Sequence, residues 1–150
     1  MNVEHAYLLT LAALAMYIVG ISALTTRVTY PLYAAVPAPA FAAYHQRYTR
    51  QIPPVIIVPA FLCFLGCLGL PLARPAAVPV WVGLLIAAGG FTALLATVTA
   101  AVPSHRRLQR DGFDAAAYRR LRVADGIRTA ACVCNATLLG WSVVLAFAPR

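Results

Sequence analysis

Three short stretches of this chain hold the residue types best suited to chemistry. In DGIRTAACVCN, Asp125, Arg128, Cys132 and Asn135 follow at steps of three, four and three, which places them on one stripe of a helix. Asn135 would lie about 10 Å from Arg128 along the axis, and in apolar surroundings its amide must find a partner. Such a buried polar group commonly lines a cavity or a site. The alternative is a surface Asp125–Arg128 pair worth tenths of a kcal/mol, with Asn135 as interhelical glue. A second stripe runs Thr97, Ala101, His105, one turn apart each, and a third stretch brings His45 between Tyr44 and Tyr48. Together these give two histidines, two phenols, a carboxylate and a guanidinium. Imidazole titrates near neutrality, a phenol or Asp can orient it, and Arg can stabilise an anion, so the set suits proton transfer. We take His45, His105, Tyr48, Asp125 and Arg128 as candidate catalytic residues, and Tyr44, Thr97 and Asn135 as candidate substrate contacts. Two histidines and one carboxylate are also the minimum for an iron-type facial triad, so a metal at His45 and His105 and no cofactor at all are both open. Taken singly, an interfacial His or Tyr is more often a headgroup anchor.

The elements that must position these residues are apolar. Of the 150 residues 62% are hydrophobic and only 11% charged, far from the composition of a water-soluble domain. Four segments are long enough to cross a bilayer as helices: 6–24, 55–72, 78–102 and 129–148. The expected fold is a single all-α domain, an integral membrane four-helix bundle. Prolines 53, 54, 71, 75, 79 and 103 read as helix punctuation, since a missing N–H costs least near a helix end. The first segment reads as a span and not as a signal peptide, because Met-Asn-Val-Glu-His carries no Arg or Lys.

Both long connections read as interfacial helices. FAAYHQRYTRQI puts Phe41, Tyr44 or His45, and Tyr48 on one stripe ahead of helix two. Beyond Pro103, SHRRLQRDG continues to a stop at Gly112, and Asp114 suits an N-cap for AAAYRRLRV. Tyr30, Tyr33, Trp81 and Tyr118 read as an aromatic belt at the headgroups. The run Ala87 to Gly90 reads as a close helix contact that would also permit self-association into a homo-oligomer.

All twelve basic residues are Arg; ten fall in the two long connections, and only Arg74 and Arg150 lie on the other side. That bias predicts a multi-pass cell-membrane protein with both termini outside and both long connections cytoplasmic. The net charge of +8 then serves topology and attraction to anionic headgroups, and no nucleic-acid partner is expected. Cys63, Cys67, Cys132 and Cys134 form no CxxC pair, which argues against a membrane thiol oxidoreductase and for small apolar packing. A phosphate loop, G-x-S-x-G and HExxH are all missing from the sequence.

Two stretches, YPLYAAVPAPAFAAYHQRYTRQIPP and TAAVPSHRRLQRDGFDAAAYRRLRVADGIRTAA, resemble the anthrone-oxygenase-like family of small four-helix integral membrane proteins. The family tends toward a Thr-rich helix end, Val-Pro, a polar pair, Arg-Leu, and an Asn-His-hydrophobic-Arg-Thr start to its last helix. Val102-Pro103, Leu108 and Arg128-Thr129 match that pattern. His105 stands where the family has Asn, and Asp125-Gly126 where an Asn-rich pair is usual; both changes add acid–base or ligand capacity. The resemblance implies oxidation of a polycyclic phenolic carbon by O₂ during aromatic polyketide maturation, with His45 or His105 as base and Arg128 as anion stabiliser. The resulting expectation is a membrane-embedded tailoring enzyme for a lipophilic metabolite, an oxygenase or an acid–base cyclase or isomerase. The alternative is a non-catalytic small membrane protein, an assembly subunit or an oligomeric carrier.

Overall fold

The computed structural model describes residues 2–149, and among them every regular element is a helix. Four helices are long and apolar enough to cross a membrane: α1 (Val3–Tyr33), α2 (Ala38–Gly69), α3 (Val80–Asp111) and α4 (Ala115–Phe147). At about 1.5 Å per residue each is roughly 45–50 Å long, well over the ~30 Å of a hydrocarbon core. The four apolar segments expected from the sequence lie largely inside them. The expected separate helices in the connections do not form: 38–52 runs on into α2, 102–111 completes α3, and 115–124 begins α4. Only residues 34–37 and 112–114 turn the chain at that end. Gly112, at φ 79°, stops α3, and the Asp114 carboxylate caps α4 by accepting the Ala117 N–H at 2.6 Å, both as the sequence predicts.

Continuity is possible because the prolines do not break these helices. In α1, α2 and α3 a five-residue π turn (Thr25–Thr29, Pro53–Ile57, Thr97–Ala101) ends two residues before Pro31, Pro59 and Pro103. A proline has no N–H to donate and its ring crowds the carbonyl one turn back; the wider π turn accommodates the ring. A carbonyl four or five residues before each proline accepts a side chain from another helix. Tyr17 donates to the Val55 carbonyl at 2.8 Å, Arg122 to Thr26 at 2.5 Å and Arg120 to Thr99 at 2.7 Å. The expectation that Pro53, Pro54 and Pro103 mark helix ends is corrected accordingly.

The helices form an antiparallel square in which α1 and α3 each contact α2 and α4. Gly90 lets α3 approach α2, since a Cβ there would stand 2.6 Å from Cys67 Cβ and 2.9 Å from the Phe64 carbonyl oxygen. A Cβ at Gly89 would collide with the Asn135 amide of α4. The small-residue run is thus used in part within the chain. The large apolar residues that face outward, among them Leu62, Leu84, Phe91 and Val144, leave the surface of the spans hydrophobic.

Two apolar cores result. One, around Leu11, Phe64, Ile86 and Leu139, fills the half of the bundle holding both termini. The other, around Tyr30, Tyr33, Phe41, Leu108 and Leu121, fills the Arg-rich half. The buried polar residues Ser22, Thr25 and Asp125 and the three π turns occupy the level between them, with His45 and Ser104 buried beside the second core. Tyr30 and Tyr33 are 2% and 0% exposed. Because α1 continues past Pro31, they point into the second core instead of forming the headgroup belt expected for them. Trp81 is exposed and pairs with Trp141 at 5.7 Å, as a belt residue would be placed.

Gly90→Ala is expected to lower stability by about 1–3 kcal/mol, because its Cβ meets backbone and Cβ atoms that cannot move aside cheaply. Gly20→Ala, on an exposed face with nothing within 4 Å, should raise it by up to about 1 kcal/mol. Thermal unfolding in detergent compares the two; equal shifts would contradict this packing.

Candidate functional site

On α2 the residues Phe41, His45 and Tyr48 recur at four and three, and the stripe turns inward, burying Phe41 and His45 completely. Tyr44 takes the outward direction and is exposed. On α3 the turn after Pro103 brings His105 to face α2. Nε2 of His45 and Nδ1 of His105 are then 3.1 Å apart, hydrogen-bonding distance, with the rings 5.3 Å between centroids and inclined by 29°. Nε2 of His105 continues the chain to the Tyr30 hydroxyl at 3.3 Å. Aromatic rings enclose the pair: Phe41 stacks on His45 at 5.7 Å and Tyr33 meets it edge-on at 5.4 Å.

A second buried group comes from α4. The Asp125 side chain is 0% exposed; one oxygen accepts from Arg128 at 2.8 Å and the other from the Thr26 hydroxyl at 2.6 Å. The Asp125–Arg128 pair therefore lies inside the bundle and is not a surface pair. Both carboxylate oxygens are occupied, so Asp125 acts as an anchor that aims the guanidinium. Arg128 lies beside the Tyr30 phenol, and Tyr118 holds the Tyr30 carbonyl from the other side at 3.1 Å.

Where the π turns widen α1, α2 and α3 a cavity of about 90 Å³ opens. That is several times the roughly 10–15 Å³ one water needs. Its walls are apolar, with Ile18, Ile21, Ile52, Ile56, Phe61 and Phe64, while Tyr30, Tyr48, Thr97, His105 and Arg128 give it polar groups. Thr97 donates its own hydroxyl to the Ala93 carbonyl at 2.8 Å, so its oxygen faces a ligand as an acceptor.

The structure therefore brings together His45, His105, Tyr48, Thr97, Asp125 and Arg128, with His45 behind His105 and Asp125 behind Arg128. It does not bring in the other two. Tyr44 stands on the outer surface near Arg47 and Arg50. Asn135 lies beyond the cavity in the first core, donating to the Ile86 carbonyl at 3.0 Å and to Cys67 Sγ at 3.4 Å, which is the glue alternative. Tyr30, Ser22 and Thr25 are polar cavity residues that the sequence does not single out, and Tyr30 is the one bonded to His105. Its signal is the i,i+3 spacing with Tyr33 across Pro31, obscured by ending the first span at Leu24.

Two polar atoms in this region, Tyr33 Oη and His45 Nδ1, are buried without a hydrogen-bond partner among the described residues. A metal does not account for them. Among the described residues no group of three His, Cys, Asp or Glu is placed to hold one, and the carboxylate of the expected facial triad is already bound by Arg128 and Thr26. The residues present do not fit a metal at His45 and His105.

Comparison with known proteins finds no matching family model, curated protein or solved structure.

Asp125→Ala is expected to cost about 3 kcal/mol, because it strands a largely buried guanidinium; replacing both partners, Asp125→Leu with Arg128→Met, should cost much less. Thermal unfolding of the single and double variants in detergent measures this. Equal losses would show that the pair is not energetically coupled.

Proposed function

We propose that this chain is a membrane-embedded enzyme acting on a lipophilic, weakly acidic aromatic metabolite, and that it starts the reaction by proton abstraction at His105. The observation that carries the reading is one buried histidine bonded to a second whose far nitrogen reaches an apolar cavity shared with an anchored guanidinium. Four apolar helices with an apolar exterior favour insertion, and the Arg bias favours a cytoplasmic location for the end holding residues 34–37 and 112–114. A lipid-soluble substrate suits such a site, because it can partition to it from the bilayer.

The roles follow from the geometry. With the proton of the shared hydrogen bond on His105 Nδ1, His45 accepts it, and the Nε2 lone pair of His105 serves as the base once substrate takes the place of the Tyr30 hydroxyl, which stands 3.3 Å from it. This is the tautomer-fixing role an orienting carboxylate plays in a catalytic triad. After His105 takes a proton from an acidic methylene, its positive charge is shared with His45. The negative charge moves to the conjugated phenolic or keto oxygen, where Arg128 stabilises it. Asp125 keeps Arg128 in place through the reaction.

For a substrate of the anthrone class the resulting carbanion can react with O₂. The methylene carbon loses two hydrogens and gains one oxygen atom as C=O; the second oxygen atom leaves with both hydrogens as water. No further reductant is needed. The resemblance noted in the sequence supports this substrate class, while the histidine at position 105, where that family has Asn, is this chain's own candidate for the base.

Purified protein in mild detergent should consume O₂ and form quinone when given a hydroxylated anthrone. His105→Gln should lower kcat by about 10²-fold or more while unfolding at the wild-type temperature. Unchanged turnover in that variant would overturn the assignment of the base, and no turnover by wild type would remove the anthrone class.

A further inference from the structure

The Arg-rich end of the bundle carries a second feature that the reaction does not use. A groove of about 540 Å³ lies between the last turns of α3 and the first of α4, bordered by Arg106, Arg107, Arg110 and Arg120. Arg107 lies 3.2 Å from Asp114 and Arg110 2.7 Å from Asp111, so four guanidinium groups face two carboxylates and the groove is net cationic. Ala116 and Ala117 bring the first turn of the 33-residue α4, and so its positive dipole end, to the same groove. Ser104 lines it too, 3% exposed and with its hydroxyl lacking a hydrogen-bond partner among the described residues. A buried unpaired hydroxyl beside guanidinium groups is an arrangement that an oxyanion would complete.

The groove does not stand alone. Arg120 also borders an apolar trough of about 500 Å³ that runs along the outside of α3 and α4 toward the middle of the bundle. Leu95, Val123 and Ile127 wall it, and the small side chains of Ala96, Ala100 and Ala124 leave its floor open. Charge at one end and a hydrocarbon slot at the other, joined at one residue, match the layout of a single lipid molecule.

We propose that groove and trough together bind one anionic phospholipid, its phosphate held by Arg106, Arg110 and the Ser104 hydroxyl and an acyl chain lying in the trough. A soluble phosphate compound would leave the trough unused, and a zwitterionic lipid would bring its own cation to a cationic groove. The site rests on the membrane reading above and is independent of the catalytic one.

Native mass spectrometry of the full chain in mild detergent tests this with phosphatidylglycerol and phosphatidylcholine of matched chains, and with glycerol 3-phosphate as competitor. Wild type is expected to retain phosphatidylglycerol about tenfold or more over phosphatidylcholine. An Arg106→Gln, Arg110→Gln variant should lose that preference while leaving the Asp114 cap and the Thr99 partner Arg120 untouched. Glycerol 3-phosphate should not displace the lipid. Equal retention of the two lipids by wild type would overturn the proposal without any variant. So would a preference unchanged in the double variant, or displacement by glycerol 3-phosphate, which would assign the groove to a soluble phosphate. Membrane insertion is read separately, by resistance of the expressed chain to alkaline carbonate extraction.

Discussion

A polar group buried inside a helical bundle costs free energy unless it finds a partner there. That constraint organises the structure around one level. Three prolines would each leave a carbonyl unpaired in the middle of a long helix, and three side chains from other helices arrive to bond them: Tyr17, Arg122 and Arg120. The same widened turns that admit the prolines push α1, α2 and α3 apart enough to open the cavity. α4, whose helix contains no proline, contributes the buried Asp125 and the guanidinium it aims. Helix continuity, the cavity and its polar end thus have one cause.

The proposed chemistry depends on that order. A lone imidazole in a hydrocarbon setting would be a packing element, and a lone guanidinium a liability. Paired with a second imidazole and with a fully buried carboxylate, both are held in fixed directions. The supporting residues lie one step behind the cavity: His45 sits under His105 and is enclosed by Phe41 and Tyr33, while Asp125 is tied to α1 through Thr26. Aromatic packing on one side and an ion pair on the other hold His105 and Arg128 in place.

Much of this was legible in the sequence. The four apolar segments, the Gly112 stop, the Asp114 cap and the inward stripe from Asp125 to Asn135 follow from periodicity and end signals that depend on neighbouring residues alone. The pairing of His45 with His105 was only suggested by their position on one side, since it depends on which way the stripe at Tyr44 and His45 turns. That choice is made by packing against Phe41 and Tyr33. The role of Tyr30 was hidden for a related reason. Whether a helix passes through a proline depends on a distant donor such as Arg122 for the freed carbonyl, and no local rule contains that information. Asn135 is buried and bonds the Ile86 carbonyl in the apolar core, a partner that spacing along one helix cannot identify.

The central claim is the hydrogen bond between buried His45 and half-buried His105. The chain has three histidines, and the third, His5, sits at the opposite end beside Asn2. Nitrogen-15 magnetic resonance on protein labelled at histidine and reconstituted in bilayers can detect coupling across an N–H···N bond directly. The account predicts one such coupling between Nδ1 of His105 and Nε2 of His45, abolished by His45→Ala. Three uncoupled imidazoles in well-folded wild-type protein would contradict it.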